Sequence, residues 1–206
     1  MAHPDLGEGT RLAASTGAWI VFEDEAGATL RPPKARTWAL RGHTPKVAVS
    51  GRGGRVSMAA LICYRPGSRG RLFYRVLVHR RRAGERRSFS EDHYAALIAA
   101  AHVQLAAPMI LIWDNLNVHR SAAMRRSCEA HPDWLTVVQL PAYACELNAT
   151  EGVWAHVKGD LGNLLAGTVD ELAASAKRLL KRIQYRPALI DGFRAQTGLA
   201  LEPQPP

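Results

Sequence analysis

Two stretches constrain the fold of this chain more than any others: "AWIVFEDE", residues 18–25, and "MILIWDN", residues 109–115. Each is an unbroken apolar run that ends on acids. A half-buried strand alternates apolar and polar side chains, so a short continuous run marks a strand covered on both faces. Such a strand sits inside a sheet, with helices above and below it. The segments around the two runs agree with that requirement. "RTWAL", "KVAVS", "RVSMAALICY" and "RLFYRVLV" follow the first as β-rich runs punctuated by "RGHTP", "GRGG" and "RPGSRGR", which predicts an antiparallel meander. After "HRRRAGERR" the pattern becomes helical in "SFSEDHYAALIAAAHVQLAAP", with Ser90 as N-cap, Glu91 and Asp92 in the first turn and Pro108 at the end. Strand and helix then alternate: "MILIW", "SAAMRRSCEAH", "WLTVVQL", "ATEGVWAHVKGDLGNLL". A basic amphipathic helix is expected from Val169 to Arg186. The predicted class is α/β, a mixed sheet with helices on both faces, in which the strands ending at Asp24 and Asp114 lie side by side.

In an open α/β sheet, functional side chains gather where strands end and a crevice opens above the core. Asp24 and Asp114 occupy such positions. Either one alone has an ordinary alternative, starting a turn or capping the next helix. Glu151 is the candidate third acid, in the first turn of a later helix, and it too has an alternative: with Asn148 as N-cap, Glu151 falls at N3 of a capping-box variant. Local sequence leaves both readings of Glu151 open. By strand alternation Glu23 and Glu25 point to the face opposite Asp24, where they are expected to meet arginine or solvent. Trp38, Trp113 and Trp154 are expected in the core.

The 27 Lys and Arg against 18 Asp and Glu leave a net charge of +9 in 206 residues, a balance suited to a polyanion such as nucleic acid. Five arginines fall within residues 79–87: Arg80, Arg81, Arg82, Arg86 and Arg87. No apolar stretch approaches the roughly 18 residues of a membrane span, and "MAHPDLGEGTRLAASTG" lacks a signal peptide's apolar centre. A cytoplasmic protein is expected. Cys63, Cys128 and Cys145 are too few and too scattered for a disulfide framework, and in a zinc set of Cys128, His131, Cys145 and His156 the second pair lacks a compact ligand spacing.

Taken in order, "FEDEAG", "RTWALRGHTPKV", "LIWDNLNVHR" and "QLPAYACELNATEGVWAHVK" resemble the catalytic domain of the mariner-like insertion-sequence transposases that carry an Asp-Asp-Glu triad. The resemblance covers residues 17–200 and leaves 1–16 as a poorly ordered lead and 201–206 as a tail. It implies a ribonuclease H-like fold with a mixed five-stranded sheet, and it makes Asp24, Asp114 and Glu151 the metal-binding triad, with His119 and Asn115 as auxiliaries. It also implies Mg²⁺ or Mn²⁺ as cofactor, two ions in number, and arginine contacts to the DNA backbone. The implied reaction is hydrolysis at the element ends and strand transfer into target DNA, with TA as target dinucleotide. The implied partners are DNA, a second copy in a synaptic complex, and a separate N-terminal helix-turn-helix part, in a bacterial, nucleoid-associated setting.

The chain departs from the family pattern in one loop. "ACELNATE" stands where the family usually has Ser-Pro-Asp/Glu-Leu-Asn-Pro-Ile-Glu, so two prolines that stiffen the loop and preset the helix are missing. A catalytically inactive nucleic-acid-binding or assembly module is the alternative that this departure raises.

Overall fold

The computed structural model describes residues 6–31, 38, 40–43, 53–86, 88–141, 144–162 and 164–198. In chain order the elements are α1 (Leu6–Thr16), β1 (Trp19–Thr29), β2 (Arg55–Tyr64), β3 (Arg71–His79), α2 (Glu91–Leu105), β4 (Met109–Trp113), α3 (Ala122–Glu129), β5 (Leu135–Gln139), a short 3₁₀ turn (Cys145–Leu147), α4 (Thr150–Leu161), α5 (Val169–Gln184) and α6 (Pro187–Gln196). One five-stranded sheet has the order β3-β2-β1-β4-β5. β1–β2 and β2–β3 pair antiparallel, whereas β1–β4 and β4–β5 pair parallel. This is the mixed sheet expected from a meander followed by strand–helix alternation.

The two unbroken apolar runs are buried on both sides, as their composition requires. Ile20, Phe22, Ile110 and Ile112 pack toward a core completed by α1, α4, α5 and α6. Trp19, Val21, Met109, Leu111 and Trp113 pack toward α2 and α3. Period-two alternation thus hands one strand's side chains to two cores. Covering such strands on both faces stabilises the fold by roughly 25 cal/mol per Å² of apolar area removed from water.

Several expectations need correction. Within the lead expected to be poorly ordered, residues 6–16 form α1, which packs on β1 and β4 with Ala13 at 2% exposure, because small side chains let the helix lie close to the sheet. The last long helix ends at Gln184, not Arg186, since Pro187 restricts Arg186 and starts α6. The strands read from "RTWAL" and "KVAVS" fall mostly outside the described residues; Trp38 and Leu40, which are described, lie outside any strand. Trp38 is 100% exposed, so it is no core residue, while Trp113 and Trp154 are buried as expected. Among the described residues, no helix is long and apolar enough to cross a membrane.

Candidate active site

β1 and β4 run parallel from Trp19↔Met109 to Phe22↔Ile112, and continuing that register sets Asp24 level with Asp114. β4 stops at Trp113, but β1 goes on to Thr29 because β2 stays paired with it to Thr29↔Arg55. Asp24 therefore marks the end of parallel pairing rather than the end of its strand, and the crevice opens where β1 loses β4 as a neighbour. Both aspartates stand there.

α4 is fixed onto the same place by hydrogen bonds distant in sequence. Thr150 Oγ1 donates to Phe22 O at 3.1 Å, Asn148 Nδ2 to Glu23 O at 2.9 Å, and Trp154 Nε1 to Asp24 Oδ2 at 3.0 Å. Gly152 lets α6 press close, since a Cβ there would fall 2.6 Å from the Phe193 ring. Asn148 Oδ1 also accepts from Thr150 N at 3.0 Å, where the helix begins. The capping reading of Glu151 does not hold: its carboxylate is exposed and, among the described residues, accepts no hydrogen bond. Its charge instead acts on Asp24. Burial, then repulsion from Glu23 and Glu151, pushes the Asp24 carboxyl up to about 7.

His119 bridges Glu23 and Asp114. Its Nδ1 lies 3.1 Å from Asp114 Oδ1 and its Nε2 lies 3.0 Å from Glu23 Oε2. The imidazole is buried, stacked on Trp113 with 4.3 Å between centroids and met edge-on by Tyr94 at 5.1 Å. Burial alone would lower its pKa, but the two carboxylates outweigh that and raise it to about 9. At neutral pH both ring nitrogens therefore carry hydrogen. Nδ1 donates to Asp114, which is held below the usual carboxylate range by that bond. Toward Glu23 the contact is an ion pair without good hydrogen-bond alignment, and burial pushes Glu23 upward. Glu23, expected to meet arginine or solvent, is thus fully buried against a histidine. Glu25 is closer to expectation, 4.0 Å from Arg55 and accepting from Tyr94 Oη at 2.8 Å. Asn115 Nδ2 donates to Leu140 O at 2.8 Å and ties the loop after β4 to the end of β5.

Asp114 Oδ1 accepts from both Leu116 N and His119, so its Oδ2 faces the open side of a half-exposed carboxylate. Among the described residues, no three His, Cys, Asp or Glu side chains close around a point as a finished metal cage would. The donor set nevertheless suits a hard divalent ion that keeps water and substrate oxygens as further ligands, and the repulsion that adds to burial in raising Asp24 is what such an ion would relieve.

Asp24, Asp114 and His119 line a cleft of about 650 Å³ whose rim carries Arg55 and Arg86. A second groove of about 990 Å³ adjoins it, lined by Arg31, Arg55, Arg81 and Arg82. Arg80 is turned away, bonded to Asp170 on α5 at 2.5 Å, and Arg87 lies outside the described residues. Glu85 Oε2 folds this loop by accepting from Arg80 N at 2.6 Å and Arg82 N at 3.1 Å. Arg55, Trp154's indole N–H and the Glu23–His119 pair escaped sequence reasoning, because each acts through a partner more than 20 positions away.

No curated protein matches the chain in sequence. Solved structures resemble it in fold: the mariner Mos1 paired-end complex with Mg at 15% identity, TM-score 0.61, covering 92% of this chain and 58% of that one. The Mos1 paired-end complex with Mn aligns at 18% identity and TM-score 0.53, covering 89% and 56%, and the Mos1 strand transfer complex at 18% and 0.50, covering 94% and 61%. The chain spans under two thirds of each of these. They share its ribonuclease H-like architecture. A family profile described as DDE superfamily endonuclease matches residues 19–173, three quarters of the chain and all three acids. The chain belongs to the DDE superfamily of endonucleases.

Proposed function

We propose that residues 17–200 form the catalytic domain of a DNA transposase, cutting phosphodiester bonds at the element ends and joining them to target DNA. The observation that carries this reading is the meeting of Asp24 and Asp114 where β1 and β4 part, with the start of α4 bonded to β1 at Phe22 and Glu23 so that Glu151 acts electrostatically on Asp24. Asp24, Asp114 and Glu151 would hold the metal. When bound, Mg²⁺ or Mn²⁺, as two ions, would activate the attacking hydroxyl and stabilise the leaving oxygen.

The chain's own groups prepare that event. Trp154 and the Glu25 N–H fix both oxygens of Asp24, at 3.0 and 2.8 Å. His119 and the Leu116 N–H fix one oxygen of Asp114 and leave the other presented to the cleft. Arg81, Arg82 and Arg86 supply phosphate contacts that position DNA without reading its sequence. The inactive-module alternative is not favoured: Asn148 and Thr150 fix the first turn of α4 without the missing prolines.

The mariner Mos1 neighbours were solved as paired-end and strand transfer complexes. By analogy we assign DNA, a second copy in a synaptic complex and a separate helix-turn-helix part as partners, and the nucleoid as the place of action. Nicking of supercoiled DNA tests the reading. Mn²⁺- or Mg²⁺-dependent nicking abolished by Asp114→Asn supports it; an inert parent chain, or nicking that survives Asp114→Asn, contradicts it.

A further inference from the structure

Arg55 belongs to neither the acidic triad nor the arginine run of residues 79–87, yet it forms the wall shared by the cleft and the neighbouring groove. Its guanidinium lies across β1 at Gly27. A Cβ at that position would stand 2.6 Å from Nη2 and 2.9 Å from Nε of Arg55, so only glycine leaves room for the head group to rest there. Arg55 begins β2 opposite Thr29, which makes Gly27 its diagonal neighbour on the paired strand.

The charge of Arg55 is not consumed locally. Glu25 is 4.0 Å away, at the limit of an ion pair, and the Arg55 side chain is 48% exposed. Glu25 itself is held by Tyr94 Oη, so it steers the guanidinium without covering it. Beyond Arg55 the groove continues with Arg31, Arg81 and Arg82, while Glu85 in that groove is occupied by the backbone N–H groups of Arg80 and Arg82. On the other side lie Asp24 and Asp114. A polyanion approaching those acids meets repulsion unless cations flank its path, and a planar guanidinium suits phosphate oxygens better than an ammonium does.

We propose that Arg55, seated on Gly27, is a phosphate-binding step that carries a DNA backbone from the Asp24–Asp114 cleft into the groove lined by Arg31, Arg81 and Arg82. The inference rests on the transposase reading and adds to it a specific track for the strand. Gly27→Ala offers an unusual test, because the clash falls on the mobile end of a side chain: the charge stays while its seat is removed.

The experiment is equilibrium binding of a fluorescent DNA duplex to the full chain in EDTA, across a salt series, alongside metal-dependent nicking by the parent chain. Arg55→Gln should weaken binding roughly tenfold at low salt and lower the salt slope by about 1, equally for unrelated sequences. Gly27→Ala should weaken binding in the same direction, and Arg55→Lys should restore the slope but not the full affinity. Melting temperatures of the variants near that of the parent establish that they fold. If Arg55→Gln binds as the parent does while Arg81→Gln/Arg82→Gln weakens, the track is wrong although the nicking result still stands. If the parent neither binds nor nicks DNA, the track falls together with the transposase reading.

Discussion

Among the described residues Glu23 and His119 form a fully buried ion-pair contact beside the cleft, and their removal is the sharpest test of single side chains. His119→Ala leaves the Glu23 carboxylate buried without a partner, which should destabilise the fold by about 3–5 kcal/mol in denaturant unfolding. The double change Glu23→Gln/His119→Ala should recover part of that loss, because the stranded charge is gone. The pH dependence has a definite sign. His119 is raised from 6.5 to about 9, so its contribution is fully present below 6.5 and is lost as pH rises through 9. Asp24 behaves differently. Raised from 3.8 to about 7, it lets the folded chain hold a proton that the unfolded chain has released, so stability falls as pH climbs through that window. Asp24→Asn should therefore stabilise the metal-free protein at pH 8 by an amount on the order of 1–4 kcal/mol, and by little near pH 4. Asp24 and Asp114 were legible because each apolar run stops on an acid. Glu23 was half legible: alternation put it on the correct face, but nothing local said that α2 and the loop after β4 would seal that face with Tyr94 and His119.

α4 carries Glu151, and its seat on β1 decides whether Glu151 can serve as the proposed third acid. Trp154→Phe keeps the ring in the core and deletes the indole N–H that holds Asp24. Unfolding should change by only about 1 kcal/mol, while metal-dependent nicking drops more steeply than stability does. Asn148→Ala removes both the bond to Thr150 N and the tie to Glu23 O, and should cost about 1–2 kcal/mol with Glu151 left less well placed. Strand and helix order was readable from the periods of the apolar residues. Less readable were the lengths. β1 extends past Asp24 only because β2 pairs with it to the end, and α1 is ordered only because the sheet offers a surface for Ala13. Trp38 shows the converse: an aromatic in a β-rich run predicts burial, and here no element among the described residues covers it.

The net charge of +9 and the two adjoining grooves act together on any DNA partner. Affinity should fall steeply and linearly in logarithmic coordinates as salt rises, since bound phosphates release counterions. What would unite the fold, the cleft and the proposed chemistry is the proposed convergence of Asp24, Asp114 and Glu151 on a divalent ion. Mn²⁺ binding followed by electron paramagnetic resonance, on the parent chain and on Asp24→Asn, Asp114→Asn and Glu151→Gln, tests that convergence without needing the DNA sequence. Each single change should weaken Mn²⁺ binding at least about tenfold, the least expected even for loss of an outer-shell partner. Mn²⁺ binding that survives all three changes undiminished would contradict the shared site.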